Sequence, residues 1–286
     1  MRSIKQVRQR IKAAKNIQQI TRAMKLVAGA RFKRSQDKVL QARPYAGKMR
    51  ELMSNLAMAS ELPPHPLLER RNPIRRIAAI VITSDRGLCG SYNTNVLRKA
   101  VETLSEYPKD AVDIIAVGKK ADQFLRRRDF NVLHSVSLPN TGPTIAEATT
   151  ITRLSCEMFE SGQVDSVLII YARFQSALIQ FPSSAQLLPI VPPEAETVTH
   201  REYLFEPEPQ KLLGSLLPRY VFNQVYQTLL EANASEHGAR MTAMTSATDN
   251  AGKIIQELTL TANRARQAAI TKEILEVVSG AEALRG

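Results

Sequence analysis

Apolar residues recur at helical spacing along both ends of the chain, and at strand spacing only in between. At the N-terminal end the pattern runs through Ile4, Val7, Ile11, Ala14, Ile17, Ile20, Met24 and Val27, then resumes at Phe32, Val39, Tyr45, Met49, Leu52 and Leu56. Such 3,4 spacing predicts one amphipathic helix, with Ser3 as its N-cap. Pro44 is expected to bend or break it, because proline removes a backbone donor and crowds the preceding turn. A helix of about 55 residues would extend about 80 Å at 1.5 Å per residue, too long for an ordinary globular domain.

The C-terminal end repeats the design. No proline follows Pro218, and Met241, Met244, Thr248, Ala251, Ile255, Leu258, Ala262, Ala265 and Ala269 keep 3,4 spacing. The phase then slips by one to Ile270, Ile274, Val277 and Ala281. Sustained heptads predict a coiled coil, and the slip a local change of winding. Gly238 and Gly252 are expected to weaken the helix by about 1 kcal/mol each relative to alanine. Neither arm has another surface against which to bury its stripe, so the two are predicted to pack on each other, antiparallel.

Between the arms lie short β-rich runs at 77–83 (IAAIVIT), 112–117 (VDIIAV) and 164–171 (VDSVLIIY), alternating with helical stretches at 94–106, 119–128 and 144–161. This alternation predicts a mostly parallel, Rossmann-like sheet covered by helices. Residues 180–190 read as a further strand, antiparallel to 164–171. The proline-rich segments 63–73 and 189–209 separate this part from the arms. The predicted organisation is an N-terminal helix over 1–61, an α/β domain over 74–192, and a C-terminal helix over 209–286 that pairs with the first.

Charge sharpens the picture. Of 39 Lys/Arg and 27 Asp/Glu, residues 1–50 hold 15 basic and one acidic (Asp37), leaving 24 basic against 26 acidic in the other 236. The basicity belongs to one arm, which calls for an acidic partner: nucleic acid, an anionic membrane face or an acidic protein loop. Against nucleic acid, Phe32 and Tyr45 are the aromatics available for base stacking in that arm. Its charges sit opposite an apolar stripe, as on a solvated helix face. With no Trp and 5% aromatic residues the chain suits aliphatic packing better than an aromatic-lined pocket. No apolar run reaches the roughly 20 residues of a membrane span. The start, Met1-Arg2-Ser3-Ile4, has no apolar signal core, which argues against secretion.

Candidate chemistry is sparse. Cys89 and Cys156 form no CxxC, and His65, His134, His200 and His237 show no ligand spacing, so neither metal nor cofactor is expected. The segment 84–93, SDRGLCGSYN, places Gly87 and Gly90 between a strand and a helix, where backbone amides can cradle a phosphate. Its GxxG spacing is neither a P-loop nor GxGxxG. The alternative is a tight turn, with Ser91 or Asn93 capping the helix that follows. No acid–base pair is positioned for catalysis.

Three blocks carry a resemblance that runs from end to end: residues 4–34 (IKQVRQRIKAAKNIQQITRAMKLVAGARFKR), the segment SDRGLCGSYN, and residues 235–284 with SEHGARMTAM, ATDNA and LTLTANRARQAAITKEILEVVSGAEAL. In this order they closely resemble the gamma-subunit family of rotary F-type ATP synthases. The resemblance implies a central rotor shaft, itself without catalysis, whose paired helices stand inside a ring of alternating alpha and beta subunits. It implies an α/β foot resting on the c-subunit ring beside the epsilon subunit, and an acidic beta loop as partner of the basic arm. By position, Met24 and Lys25 fall in the block facing beta, and Arg266, Gln267, Thr271 and Glu273 in the upper shaft. Asp85, Arg86, Gly87, Leu88 and Gly90 belong to the foot, with contacts to epsilon or the c ring assigned by region. Photosynthetic members carry an insertion with a regulatory cysteine pair; here 191–212 runs without it, and neither Cys89 nor Cys156 fits that role. No transit peptide is apparent, so the implied location is peripheral, on the cytoplasmic face of a bacterial plasma membrane, with an organellar inner or thylakoid membrane as the alternative. Readings from other classes are a basic coiled-coil nucleic-acid binder and a small α/β nucleotide-binding enzyme with helical arms.

Overall fold

The computed structural model describes residues 4–59, 65–191 and 209–283. The chain divides into two compact units, one formed by 1–27 with 241–286 and the other by 28–240. Helix α1 (Ile4–Ala59) and helix α5 (Pro209–Ala283) each contribute to both. The proposed N-cap, Ser3, lies outside the described residues, as do residues 60–64 and 192–208.

In the first unit α1 and α5 pair antiparallel. Thr21 meets Thr248 at 2.8 Å. One turn back on α1, Gln18 meets Gly252, one turn forward on α5. The α5 seam follows the predicted phase: Met244 and Ala251 are buried, while Thr248, Ile255, Leu258, Ala262, Ala265 and Ala269 are half-buried. The α1 seam does not follow it throughout. Val7, Ile11, Ala14 and Met24 face inward as expected, but Ile17, Ile20 and Val27 are 54%, 59% and 54% exposed. Gln18 and Thr21 take the inner positions instead, which continue the 4,3 steps from Val7. The reason is local: facing Thr248 and Gly252 there is room and a hydrogen-bond partner for a polar side chain, and a branched apolar one would overpack. The predicted slip beyond Ala269 does not prolong the seam either. Ile270, Ile274 and Val277 are 48%, 57% and 72% exposed. The pairing register brings α1 to its described start, Ile4, near α5 residue 265, so nothing of α1 covers the later turns.

The second unit is built on a five-stranded sheet in the order β3-β2-β1-β4-β5. The elements are β1 (Ile77–Ile82), α2 (Tyr92–Leu104), β2 (Val112–Val117), α3 (Lys119–Arg126), β3 (Asn131–Val136), α4 (Ile145–Glu160), β4 (Ser166–Phe174) and β5 (Gln180–Leu188). Strands β1 to β4 pair in parallel, and β4–β5 is the expected antiparallel pair. Strands β1 and β2 are buried at every residue, as expected where helices cover both faces. On one face α2 and α3 pack over Ala79, Val81 and Ile114. On the other, α4 joins Met49 and Met53 of α1 and Leu217, Val221, Val225 and Leu229 of α5 over Ala78, Ile80 and Ile115.

Strand β3 is absent from the apolar runs because its burial alternates and polar Asn131, His134 and Ser135 interrupt it (NVLHSV). His134 lies within that strand. Helix α1 runs unbroken through Pro44, contrary to a break there. Pro44 and Leu40 four residues before it are exposed, so the carbonyl that loses its donor faces water. Likewise α5 contains Pro218 and begins nine residues earlier, at Pro209.

Candidate functional site

The SDRGLCGSYN segment follows β1 and is held from three sides. Thr83 closes the strand end: its N–H donates to the Val117 carbonyl at 2.8 Å, and its hydroxyl accepts from Ala121 N–H at 2.8 Å. Asp85 Oδ1 accepts the N–H of Lys119 at 2.8 Å, placing a carboxylate at the N-terminus of α3, where the helix dipole favours it. That approach requires Gly118, at φ 90°, since a Cβ there would lie 2.4 Å from the Thr83 carbonyl oxygen. Ser84 and Asn93 clasp the base of the loop. Ser84 N–H donates to Asn93 Oδ1 at 3.0 Å, and Asn93 Nδ2 donates to Ser84 Oγ at 2.8 Å and Cys89 Sγ at 3.2 Å. Neither proposed cap acts as one: Ser91 precedes α2 without a side-chain cap bond, and Asn93 turns back to the loop.

Between these ties the loop turns sharply. Leu88 and Gly90 have φ of 62° and 59°, and Leu88 is 64% exposed. The carbonyls of Arg86 and Gly87 point at Arg240 of α5, whose Nη2 donates to them at 3.4 and 3.3 Å. A loop that offers carbonyls to a cation is arranged oppositely to an amide cradle for phosphate. Arg240 Nη1 donates to Glu236 Oε1 at 2.6 Å and lies 3.3 Å from His237 Nδ1. Burial pushes the Glu236 carboxyl up, opposed by Arg240. Burial and the charges of Arg240 and Arg31 push His237 down to about 4, which keeps the ring neutral, and facing a guanidinium that can only donate, its Nδ1 is the acceptor. These three residues stand in the quoted SEHGAR block without having been singled out. The signal was the Glu–Arg pair at i,i+4.

Further contacts join α2, β4 and α1 to α5 nearby. Tyr92 Oη donates to the Ala232 carbonyl at 3.1 Å, and Ser235 Oγ to the Ala172 carbonyl at 3.0 Å. Asn233 Nδ2 donates to Ser35 Oγ of α1 at 2.7 Å. At Gly238 an added Cβ would stand 3.2 Å from the backbone of Ala177 and 3.3 Å from the Phe32 ring. The helix runs on through this glycine, as expected of a residue that only weakens it, and the missing side chain permits the close approach.

The six helix residues singled out by resemblance lie on the first unit. Met24 borders the seam, half-buried; Lys25, Arg266, Gln267, Thr271 and Glu273 are exposed. The five loop residues are gathered in one place, while these six spread along α1 and α5. Apolar side chains accompany them: Ile17, Ile20, Leu26 and Val27 on α1, and Ile270, Ile274, Leu275, Val277 and Val278 on α5, are all exposed.

Cys89 is buried and Cys156 half-buried, on opposite faces of the sheet. Burial raises both thiols, Cys156 to about 12. Among the described residues no group of three or more His, Cys, Asp or Glu could hold a metal ion, and no helix is long and apolar enough to cross a membrane.

Comparison with known proteins places the chain. Residues 3–284 match the protein family described as ATP synthase. The ATP synthase gamma chain of Brevibacillus brevis is 45% identical over 284 residues, covering 99% of each chain. That of Desulfitobacterium hafniense is 46% identical over 284 residues, covering 99% of this chain and 100% of the other. Among solved structures, a chain of the Tetrahymena thermophila mitochondrial ATP synthase central stalk and c ring is 25% identical. Its TM-score is 0.60 over 80% of this chain and 99% of that one. A chain of the Euglena gracilis mitochondrial ATP synthase, 19% identical, shares the fold with a TM-score of 0.70 over 98% of this chain and 94% of that one. The chain belongs to the gamma-chain family of ATP synthases.

Proposed function

We propose that this chain is the central rotor shaft of a proton-translocating F-type ATP synthase, coupling proton movement to ATP synthesis or hydrolysis carried out by partner subunits. Beyond family membership, one observation carries the reading. The last turns of α5 expose Ile270, Ile274, Leu275, Val277 and Val278 with no cover from α1. An apolar surface of this extent on a helix end marks a place for a partner.

In this reading the α and β subunits surround the helix pair. Met24 and Lys25 meet beta from α1; Arg266, Gln267, Thr271 and Glu273 meet the ring from α5. The exposed basic residues of α1 face an acidic beta loop. The α/β domain is the foot, and its Asp85–Gly90 loop (Asp85, Arg86, Gly87, Leu88, Gly90) belongs to the contacts with epsilon or the c ring. The chain is non-catalytic, and it is held at the cytoplasmic face of a bacterial plasma membrane through the complex. A nucleic-acid role and a nucleotide-binding enzyme have no comparable support.

Co-purification tests this. A tagged chain is expected to bring down alpha and beta in stoichiometric amounts, and the isolated chain to bind no labelled ATP at micromolar concentration. Failure to recover alpha and beta, or stoichiometric ATP binding, would sink the reading.

A further inference from the structure

We propose that Arg240 is a positioning residue that fastens the loop after β1 to α5, so that loop and shaft helix turn as one piece. The second half of this statement rests on the rotor reading above. The guanidinium is engaged on two sides. Nη1 is held by Glu236 at 2.6 Å, and Nη2 spans the carbonyls of Arg86 and Gly87 at 3.4 and 3.3 Å. The Arg240 and Glu236 side chains are 12% and 15% exposed. The pair is largely withdrawn from water, where its hydrogen bonds strengthen and a missing partner is costly.

The loop needs such support. Leu88 adopts the left-handed region at φ 62° with an exposed side chain, a conformation that neighbouring structure must hold. Asp85 and the Ser84–Asn93 clasp secure the base of the loop to β1, α2 and α3. Arg240 reaches the middle of the turn, from a helix 153 residues away in sequence. Arginine suits the task because its planar fork directs donors two ways at once; the single ammonium of lysine cannot match that geometry. His237 stays neutral beside it and turns Nδ1 to the same guanidinium, adding no competing charge.

The test is spin-label mobility on the full chain. Leu88→Cys carries the nitroxide in a Cys156→Ser background; Cys89 is buried and stays unlabelled. Arg240→Met removes the tie but strands the Glu236 carboxylate, so the double variant Glu236→Gln/Arg240→Met, with no net charge left at the pair, is compared. Label motion at Leu88 is expected to quicken roughly threefold or more in both, on the nanosecond scale of loop motion. Arg240→Lys should recover part of the restraint. Parental mobility in both variants, or quickening in the single variant alone, overturns the proposal, the latter because Arg240 would then only neutralise Glu236.

In complexes carrying native Leu88, the double variant is expected to hydrolyse ATP at about the parental rate while pumping fewer protons per ATP. Parental pumping with a loosened loop overturns the link to coupling. If the parent itself fails to assemble with alpha and beta, the rotor reading falls while the mobility result stands.

Discussion

Thr248 Oγ1 donates to Thr21 Oγ1 at 2.8 Å, joining α5 to α1 across 227 residues of sequence. The Thr248 hydroxyl also lies 2.7 Å from the Met244 carbonyl, and the Thr21 hydroxyl donates to the Gln18 carbonyl at 3.1 Å. A polar pair inside a coiled-coil seam fixes register at some cost in stability. Thr248→Val is therefore expected to cost about 1 kcal/mol in thermal melts of the full chain, by removing the hydrogen bond between the two helices. Thr21→Val/Thr248→Val should cost little more than either single variant, since the shared bond is lost only once. If the two single losses simply add in the double variant, the threonines are not coupled.

Gly252 and Gly238 of α5 respond oppositely to alanine. At Gly252 the new methyl would meet only the tip of the Gln18 side chain, at 3.0 Å, which can swing aside. Helix propensity then favours Gly252→Ala by up to about 1 kcal/mol. At Gly238 the methyl would press on the Ala177 backbone, which cannot move cheaply. Gly238→Ala is expected to cost about 1–3 kcal/mol. Chemical denaturation of the two variants side by side checks the contrast; equal effects would contradict the packing described at Gly238.

Bulk at the seam should matter more than bulk outside it. Ala251 is 5% exposed, whereas Gln256 faces solvent. Ala251→Phe is expected to fold, by circular dichroism, at a cost of about 1–3 kcal/mol, but to assemble poorly with alpha and beta because the helix pair widens. Gln256→Phe is the control for folding. Parental assembly and pumping by Ala251→Phe would show that the pair tolerates widening there.

Acid should loosen the second unit through His237. Its native pKa, pushed down to about 4 from an ordinary 6.5, means that the unfolded chain takes up a proton first as pH falls. Stability is therefore full above about pH 6.5 and declines between 6.5 and 4, by about 2–3 kcal/mol at most. Glu236 works in the opposite sense over part of this range: its raised pKa lets the native state take a proton before the unfolded chain. His237→Gln should flatten the decline, measured as melting temperature against pH. An unchanged slope would assign acid sensitivity to other groups.

Much of this fold was legible because burial dictates composition. Strands β1, β2 and β4 read as apolar runs, and the α5 seam read correctly from Met244 to Ala269, since small and apolar residues recur wherever that helix faces another. Strand β3, half of it turned outward, carried no such run. On α1 the positions of Ile17 and Ile20 misled for a chemical reason. The seam there is polar, and its partners Thr248 and Gly252 are invisible until the two ends are brought together. The loop after β1 was recognisable as a motif, but its restraint by Arg240 was not, because no local pattern reports a contact so distant in sequence.

The rotor claim is tested most directly by watching the foot turn. Glu106 is exposed between α2 and β2, and the native thiols are buried or half-buried, so Glu106→Cys accepts a probe on the α/β domain. With alpha and beta fixed to a surface and ATP supplied, the probe is expected to rotate continuously in one direction, stopping when ATP is withdrawn. A probe that stays still while the same complexes hydrolyse ATP would contradict the assignment of this chain as the shaft.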